Sequence, residues 1–459
     1  PAKGRPEVRA FRGGQGSRMV EESDDINVGL LGLGVVGGGV ATALLEQSDD
    51  ISRKVGRRVK LKKILVRDAA KPRDPGIAAS LITTNPEEIL ADPGIHILAE
   101  VIGGTDPATR FLKDALAAGK HVVTANKEVL AKSGPELMSL AKQNGVSLLF
   151  EASVGGGIPI VGCLMNQLLA NDIQSVHGII NGTTNYILTR MAQAHTSFAQ
   201  ALQEAQELGY AEADPTNDIE GIDAGYKLAI LASLAFHRRF NPEDIFLQGI
   251  SSLEAKDFQY AQELGYAIKP LAIASMSNGA VQARVHPALI PLGHMLAKVD
   301  GVYNAVEVTG SLCGNVLFHG MGAGREPTTS AVLGDLIEAG RRLVSHPNGS
   351  SPPMSWPPEN GSSEETIGVS SIDGLQSKYY LRLNVSDQPG VLAQIAQILG
   401  DGKISIASVI QKDADPDNQS AELVIITHPA LEASVQESLR KVVELNVVKE
   451  VNNLLRIEE

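Results

Sequence analysis

Between Gly209 and Lys227 the sequence GYAEADPTNDIEGIDAGYK sets Glu212, Asp214, Asp218, Glu220 and Asp223 ahead of a single lysine, and then runs into the apolar stretch LAILASLAF. Asp223 and Lys227 are four residues apart, so on a helix they share one face. A lysine held beside a carboxylate at a helix start is a plausible group for moving a proton to or from an oxygen. Gly209 and the Asp214-Pro215 pair read as a helix stop followed by a sharp re-entry, which aims Glu212 from a loop at the same place. The bland alternative is a solvated, acidic helix entry.

Three other stretches carry candidate chemistry. Lys127 ends the apolar run HVVTANK, where a strand end would put it and Asn126 in a cleft; otherwise it is a surface lysine starting a helix. Glu151 heads the glycine-rich EASVGGGIPI, whose free carbonyls with that carboxylate suit a hard cation, or which simply crosses between domains. The turn Asn181-Gly182-Thr183-Thr184-Asn185 either offers donors to a small polar ligand or caps the helix that follows.

The elements that must position these groups begin with INVGLLGL (26–33), a short apolar run that reads as a buried parallel strand. GLGVVG follows at once and a helical pattern after it. Gly32, Leu33, Gly34, Val35, Val36 and Gly37 thus form a G-x-G-x-x-G cradle for the pyrophosphate of a dinucleotide. A second strand, VKLKKILVRD, ends in Arg67-Asp68, where Arg67 suits a 2′-phosphate and Asp68 a 2′-hydroxyl. The basic neighbours Lys71 and Arg73 favour NADP over NAD. Strands at 95–104, 121–127 and 146–157 alternate with helices, which predicts a doubly wound parallel sheet with ligands beyond its carboxyl ends. Thr105 stands at one of those ends. Residues 244–320 alternate β-like runs with turns, as an antiparallel sheet with one helical face would. GMGAGREPTTSAVLGDLIEAGRRL (320–343) is a glycine turn entering an amphipathic helix, where Gly322 and Gly324 return the chain to the cofactor.

At 459 residues the chain needs two or three cores. A net charge of −13 without a basic stripe argues against nucleic acid as a partner, and no apolar run reaches membrane-spanning length. Cys163 and Cys313 belong to no metal-spacing motif and suggest a reducing compartment. Residues 1–20 lack the apolar stretch of a secretory signal; Met19 is a candidate start, with a transit-like segment as the alternative. We therefore expect a cytoplasmic protein, or a plastid one.

Taken together, the segment from Ala205 to Lys227 resembles the signature of homoserine dehydrogenases at Ala205, Gly209, Asp214-Pro215, Asp218, Gly221, Asp223 and Lys227. The likeness continues through GLGVVG, TANK, EASVGGGIPI, NGTTNYI and GAGREPT, over residues 26 to 343. It implies interconversion of L-homoserine and L-aspartate 4-semialdehyde with NADP or NAD, in threonine, methionine and isoleucine biosynthesis. By that likeness Lys227 relays the proton at the substrate oxygen with Asp223 beside it, and Lys127 lies between nicotinamide and substrate. Glu212 binds the substrate amino group; Gly209, Asp218 and Thr183 stand on the substrate side. Glu151 with the main-chain oxygens of Val154, Gly156 and Ile158 matches a monovalent cation loop (sodium or potassium), and Gly324 meets the cofactor from the far side. A homodimer or homotetramer is expected.

Residues 346–376, rich in Pro, Ser and Gly, read as a linker. Residues 377–459 run strand, helix, strand, strand, helix, strand, a ferredoxin-like order that resembles an ACT module. Asp387, Gly390 and Val391, at the start of its first helix, are its candidate effector contacts, and the family implies threonine as the effector. The expected organisation is an extension (1–25), a Rossmann-like α/β domain (26–150, with 321–345 packing back), an α+β substrate and dimerisation domain (151–320), the linker and the ACT domain. Two other functions fit parts of this pattern: a phosphorylating semialdehyde dehydrogenase, which needs a reactive cysteine in the cleft, and a non-catalytic, nucleotide-gated amino-acid sensor.

Overall fold

The computed structural model describes residues 25–277, 279–345, 368–412, 414–415 and 418–459. Residues 1–24 of the expected extension (1–25) and 346–367 of the expected linker lie outside the described residues, whereas Asp25 is buried at the start of the fold. The first domain is built of β1 (Ile26–Leu31), α1 (Val35–Glu46), α2 (Ser48–Val55), β2 (Val59–Leu65), β3 (Ile82–Thr83), α3 (Glu87–Leu90), β4 (Ile97–Glu100), α4 (Ala108–Ala117), β5 (His121–Thr124), α5 (Lys127–Gln143) and β6 (Leu148–Leu149). Its sheet is parallel in the order β3-β2-β1-β4-β5-β6, so the strand order reverses between β1 and β4. That reversal opens a crevice outside the strand carboxyl ends. Several expected strands end early, and the run 95–104 stops at Glu100. The run 121–127 stops at Thr124 because Asn126 caps α5, its side chain accepting from Val129 N. The run 146–157 pairs only at Leu148–Leu149. From Glu151 it leaves the sheet, because that carboxylate accepts N–H bonds from Val161 at 2.9 Å and Gly162 at 2.6 Å.

The second domain contains α6 (Ile160–Gly162), β7 (Ile173–Ile179), α7 (Gly182–Ala194), α8 (Phe198–Glu207), α9 (Thr216–Ile219), α10 (Ile222–Ala235), β8 (Phe246–Leu247), α11 (Ala255–Glu263), β9 (Tyr266–Ser277), β10 (Ala280–Pro291), β11 (Tyr303–Gly310) and β12 (Gly314–Met321). The strands β12-β11-β7-β9-β10 pair antiparallel. Helix α10 is buried from Leu228 to Ala235, as expected for a helix apolar on all sides. It packs between this sheet and α5. Helix α12 (Arg325–Ser345) returns to lie on α1.

The C-terminal part holds β13 (Gly368–Val369), β14 (Gln376–Ser386), α13 (Val391–Asp401), β15 (Ile406–Ile410), β16 (Ala414–Asp415), β17 (Ser420–Thr427), β18 (Ala430–Leu431), α14 (Glu432–Val443) and β19 (Val448–Ile457). Gly368–Val369, inside the span read as linker, pairs with β10. More consequentially, β19 pairs parallel with β10 through Ala288↔Arg456 and Leu289↔Ile457, so the two domains share one 13-stranded sheet. Tyr379, Leu381 and Leu383 face a core with residues of α13 and α14. The alternate residues of the sheet, Tyr380, Leu455 and Ile457, share a core with Leu188, Met191 and Phe258 of α7 and α11. Arg382, 1% exposed, pairs with the fully buried Asp257 at 2.6 Å across the junction.

Candidate active site

The groups singled out by chemistry converge where α10 begins. Asp223, on the first turn of α10, is buried and lies between two ammonium groups: Lys227 Nζ is 2.6 Å from Oδ2 and Lys127 Nζ is 2.7 Å from Oδ1. Asn181 donates from Nδ2 to Asp223 at 2.9 Å and to Asp218 at 2.7 Å, tying both carboxylates to the entry of α7. Burial opposes ionisation of Asp223, but Lys227 and Lys127 outweigh it and hold the carboxyl well below its ordinary range. Burial alone would lower the Lys127 ammonium; Asp223 outweighs it, so the group is raised. Asp218 is different. Burial raises it, and the Asn181 hydrogen bond only partly offsets that rise, to which Asp223's charge adds.

Lys227 also donates to Ile180 O at 2.9 Å. Two of its three N–H groups are thus engaged, and its side chain, 11% exposed, lines the cleft. Two cavities of about 240 Å³ each meet at this point. One is lined by Val36, Gly103, Gly156, Lys227, Gly322 and Ala323, on the side of the glycine cradle. The other is lined by Glu212, Asp214, Asn217, Asp218, Asp223 and Tyr226. Lys127 lines both and stands at their boundary.

The cradle fits a dinucleotide. Gly32 has φ +102°, and a Cβ on Gly37 would overlap the Gly32 carbonyl, so the strand–turn–helix closes only with glycine at both positions. The wall opposite is equally close: a Cβ on Gly156 would lie 2.6 Å from the Gly322 carbonyl, and Gly157 N donates to Met321 O at 3.0 Å. Gly322, Ala323 and Thr328 line the cleft, and Gly324 follows at the start of α12. Arg67 and Asp68 are exposed beyond β2. Arg73 is spent on its own loop, donating to Ala69 O and Lys71 O, which leaves Arg67 as the guanidinium at the strand end. Thr105 starts the turn into α4, its carbonyl accepting from Thr109 N.

The remaining candidates fall as follows. Asp214 accepts from Thr216 N at 3.1 Å and Thr216 Oγ1 at 2.6 Å, bracing the entry of α9. Thr183 Oγ1 donates to Tyr210 O at 2.7 Å, so it pins the 209–212 loop against α7. Gly209 takes a left-handed turn at the end of α8, with Gln206 O accepting its N–H. Of the cation set, Ile158 O accepts from Ile160 N and Glu151 caps the turn at α6. The Glu151 carboxylate and the Ile158 carbonyl retain acceptor capacity for a ligand. Gly390 is left-handed at the start of α13 beside the exposed Asp387, and Val391 is buried. Cys163 lines neither cavity; burial and Glu151 push its thiol up, the wrong direction for a nucleophile.

One supporting residue, Glu100, escapes a reading of the sequence, and Asn126, expected at a strand end in the cleft, has a bracing role as well. Glu100, fully buried at the end of β4, accepts from Thr124 Oγ1 at 2.6 Å and Ile102 N at 2.8 Å. Asn126 Nδ2 donates to Gly104 O at 2.7 Å. These bonds shape the 101–104 loop and fix the helix start that carries Lys127. The available signal was one carboxylate inside the apolar run IHILAEVIGG. Asn181, read as part of a turn that either meets a ligand or caps a helix, caps α7 and also ties the two carboxylates together.

Known proteins match this chain along most of its length. The family model for the homoserine dehydrogenase NAD binding domain matches residues 32–151, that for homoserine dehydrogenase residues 159–337, and that for the ACT domain residues 379–444. The homoserine dehydrogenase of Neisseria gonorrhoeae is 41% identical over 433 residues, covering 94% of this chain and 98% of that protein. The crystal structure of a homoserine dehydrogenase from Thiobacillus denitrificans is 43% identical with a TM-score of 0.88, covering 95% of this chain and 98% of that one. A hyperthermophilic archaeal homoserine dehydrogenase in complex with NADPH is 28% identical with a TM-score of 0.60, over 72% of this chain and all of that one.

Proposed function

Because the chain belongs to the homoserine dehydrogenases, NAD(P)-dependent oxidoreductases that interconvert L-homoserine and L-aspartate 4-semialdehyde, we propose that Lys227 moves the proton at the substrate's C4 oxygen. The observation that carries this reading is the Lys227–Asp223–Lys127 arrangement at the boundary of two cavities. The nicotinamide, when bound, supplies or takes the hydride. Reduction of the aldehyde builds negative charge on its oxygen, and the third N–H of Lys227 is free to neutralise it and then deliver the proton. In oxidation the same nitrogen receives the proton of the hydroxyl. Asp223, between the two ammonium groups, keeps both lysines in place against their mutual repulsion. Lys127 orients the substrate oxygen beside the nicotinamide position. Glu212 and Asp218, in the acidic cavity, bind the substrate's ammonium group.

Residues Gly32 to Gly37, Thr105, Gly324 and the exposed Arg67 would hold the dinucleotide, and Arg67 favours NADP through its 2′-phosphate. Glu151 with Val154, Gly156 and Ile158 carbonyls would hold a monovalent cation by hard oxygen donors. The exposed amide edge at Asp387, Gly390 and Val391 would bind an amino acid, threonine by the pathway this substrate serves. The experiment that tests the reading measures homoserine-dependent reduction of NADP and of NAD by the purified chain and by Arg67→Ala. Selective loss of the NADP rate is expected. Equal loss with both cofactors contradicts the role of Arg67.

A further inference from the structure

One short segment lies between the C-terminal domain and the turn that carries Asp218 and Asp223. Gln248 to Leu253, joining β8 to α11, is gripped on one side by β19. Gln248 Oε1 accepts from Arg456 Nη1 at 2.7 Å, and Asn453 Nδ2 donates to Ser252 O at 2.9 Å while Ser252 Oγ donates to Asn453 Oδ1 at 3.0 Å. Arg456 is itself locked, 1% exposed, with Glu432 of α14 at 2.5 Å and the Phe246 ring 4.8 Å away. On the other side the segment holds the α9–α10 turn. Ile250 N donates to Ile219 O at 2.9 Å and Ser251 Oγ to Glu220 Oε1 at 3.5 Å. Gly221 N donates back to Asp218 O at 3.0 Å, so the turn moves with Asp218 at one end and Asp223 at the other. Gln248 and Asp218 line one small internal cavity. The fit is tight: a Cβ on Gly249 would lie 2.9 Å from Ile219 O and 2.5 Å from Glu220 Oε2.

We propose that residues 248–253 are a strut through which the C-terminal domain sets the position of Asp218 and Asp223, so that an amino acid bound at α13 changes the affinity for homoserine. The proposal rests on the reading of Asp218 as a substrate contact and of the C-terminal domain as the effector site. Gln248 and Gly249 act as positioning residues, through β19 on one side and the turn on the other. On the β19 side the grip is held by the buried Asn453 and Arg456 and on the other by the Ile250–Ile219 backbone bond, so a shift of β19 is passed on rather than absorbed.

The test is steady-state kinetics of the full chain, with threonine as the effector probe. Gly249→Ala presses on the Ile219 carbonyl without altering a group that meets substrate. It should raise KM for homoserine about fivefold or more while KM for NADP is unchanged. Gln248→Leu cuts the link to Arg456 and should raise the threonine concentration needed for half-inhibition about fivefold or more, and Gln248→Glu, which keeps an acceptor for Arg456, should restore it. A wild-type homoserine KM in Gly249→Ala, or wild-type threonine sensitivity in Gln248→Leu, overturns the strut. If threonine leaves the wild-type enzyme uninhibited, the effector reading fails separately, and Gly249→Ala alone decides. If Gly249→Ala is insoluble, homoserine KM decides: raised in Gln248→Leu and restored in Gln248→Glu supports the strut, and equal values in the two overturn it.

Discussion

Replacing Asp223 by asparagine preserves the side chain's shape and removes the negative charge between two ammonium groups. In the native site Lys227 Nζ and Lys127 Nζ lie 2.6 and 2.7 Å from opposite oxygens of that carboxylate. Two like charges roughly 6 Å apart repel by about 3 kcal/mol at an effective permittivity of about 20. That energy corresponds to about two powers of ten in the equilibrium holding both protons and both side chains in place. The pair relieves it by shedding a proton or by swinging Lys127, whose side chain is 41% exposed, out of the boundary between the cavities. Either response removes the ordered proton donor. The assay is NADPH-dependent reduction of aspartate semialdehyde near neutral pH, with NADPH affinity followed separately by its fluorescence. We expect kcat to fall by about 10²–10³-fold with NADPH affinity retained, because the cradle lies on β1 and α1. A variant with kcat close to wild type would refute the role assigned to Asp223.

Three further outcomes follow from the same geometry. Asp218 is raised by burial, so its carboxylate forms at higher pH than an ordinary aspartate. Homoserine KM should therefore fall as pH rises through that raised value, and Asp218→Asn should lose this dependence and raise KM about tenfold or more. His121 is buried and lowered to about 4 from 6.5, by burial first and Arg342 second. The folded state then holds fewer protons than the unfolded state between those values, so stability is lost as pH falls. Denaturant titrations of the wild type should show about 2 kcal/mol from this group between about pH 7.5 and pH 5, and His121→Gln should lack that contribution. Truncation at residue 370 should yield insoluble or unfolded protein rather than a deregulated enzyme. It strips Tyr380, Val424, Ile426, Leu455 and Ile457 from a core shared with α7 and α11, about 10 kcal/mol of apolar burial against a typical net stability of about 5–15 kcal/mol. A soluble, cooperatively melting fragment would contradict the shared core.

Local chemistry was legible; long-range pairing was not. Asp223 and Lys227 could be placed together because helical periodicity fixes residues four apart on one face. The glycine cradle was equally readable, since its spacing and its place between strand and helix are both local. That Lys127 completes the pair across 96 positions depends on how α5 docks on α10, which no local pattern encodes. Glu100 and Asn126 act by satisfying backbone groups in loops whose shape the sequence does not declare. The strand expected at 146–157 failed because one side chain, Glu151, captured amides ten and eleven residues ahead. The fusion of the C-terminal sheet with the substrate domain had left a trace. Tyr379 and Tyr380 are adjacent and both fully buried, which requires a strand covered on both faces. Arg382 and Arg456 interrupt apolar strands where only buried acids from elsewhere could accommodate them. A reading that treated the tail as a tethered module passed over that trace.

The account turns on a proton carried by Lys227, and Lys227→Gln tests it most directly. The glutamine amide, on a side chain one atom shorter, still offers N–H donors to the site, but it has no acidic proton to give. With homoserine and saturating cofactor, kcat should drop by about 10²-fold or more while NADPH affinity and melting temperature stay near wild type. A kcat near that of the native enzyme would contradict the mechanism.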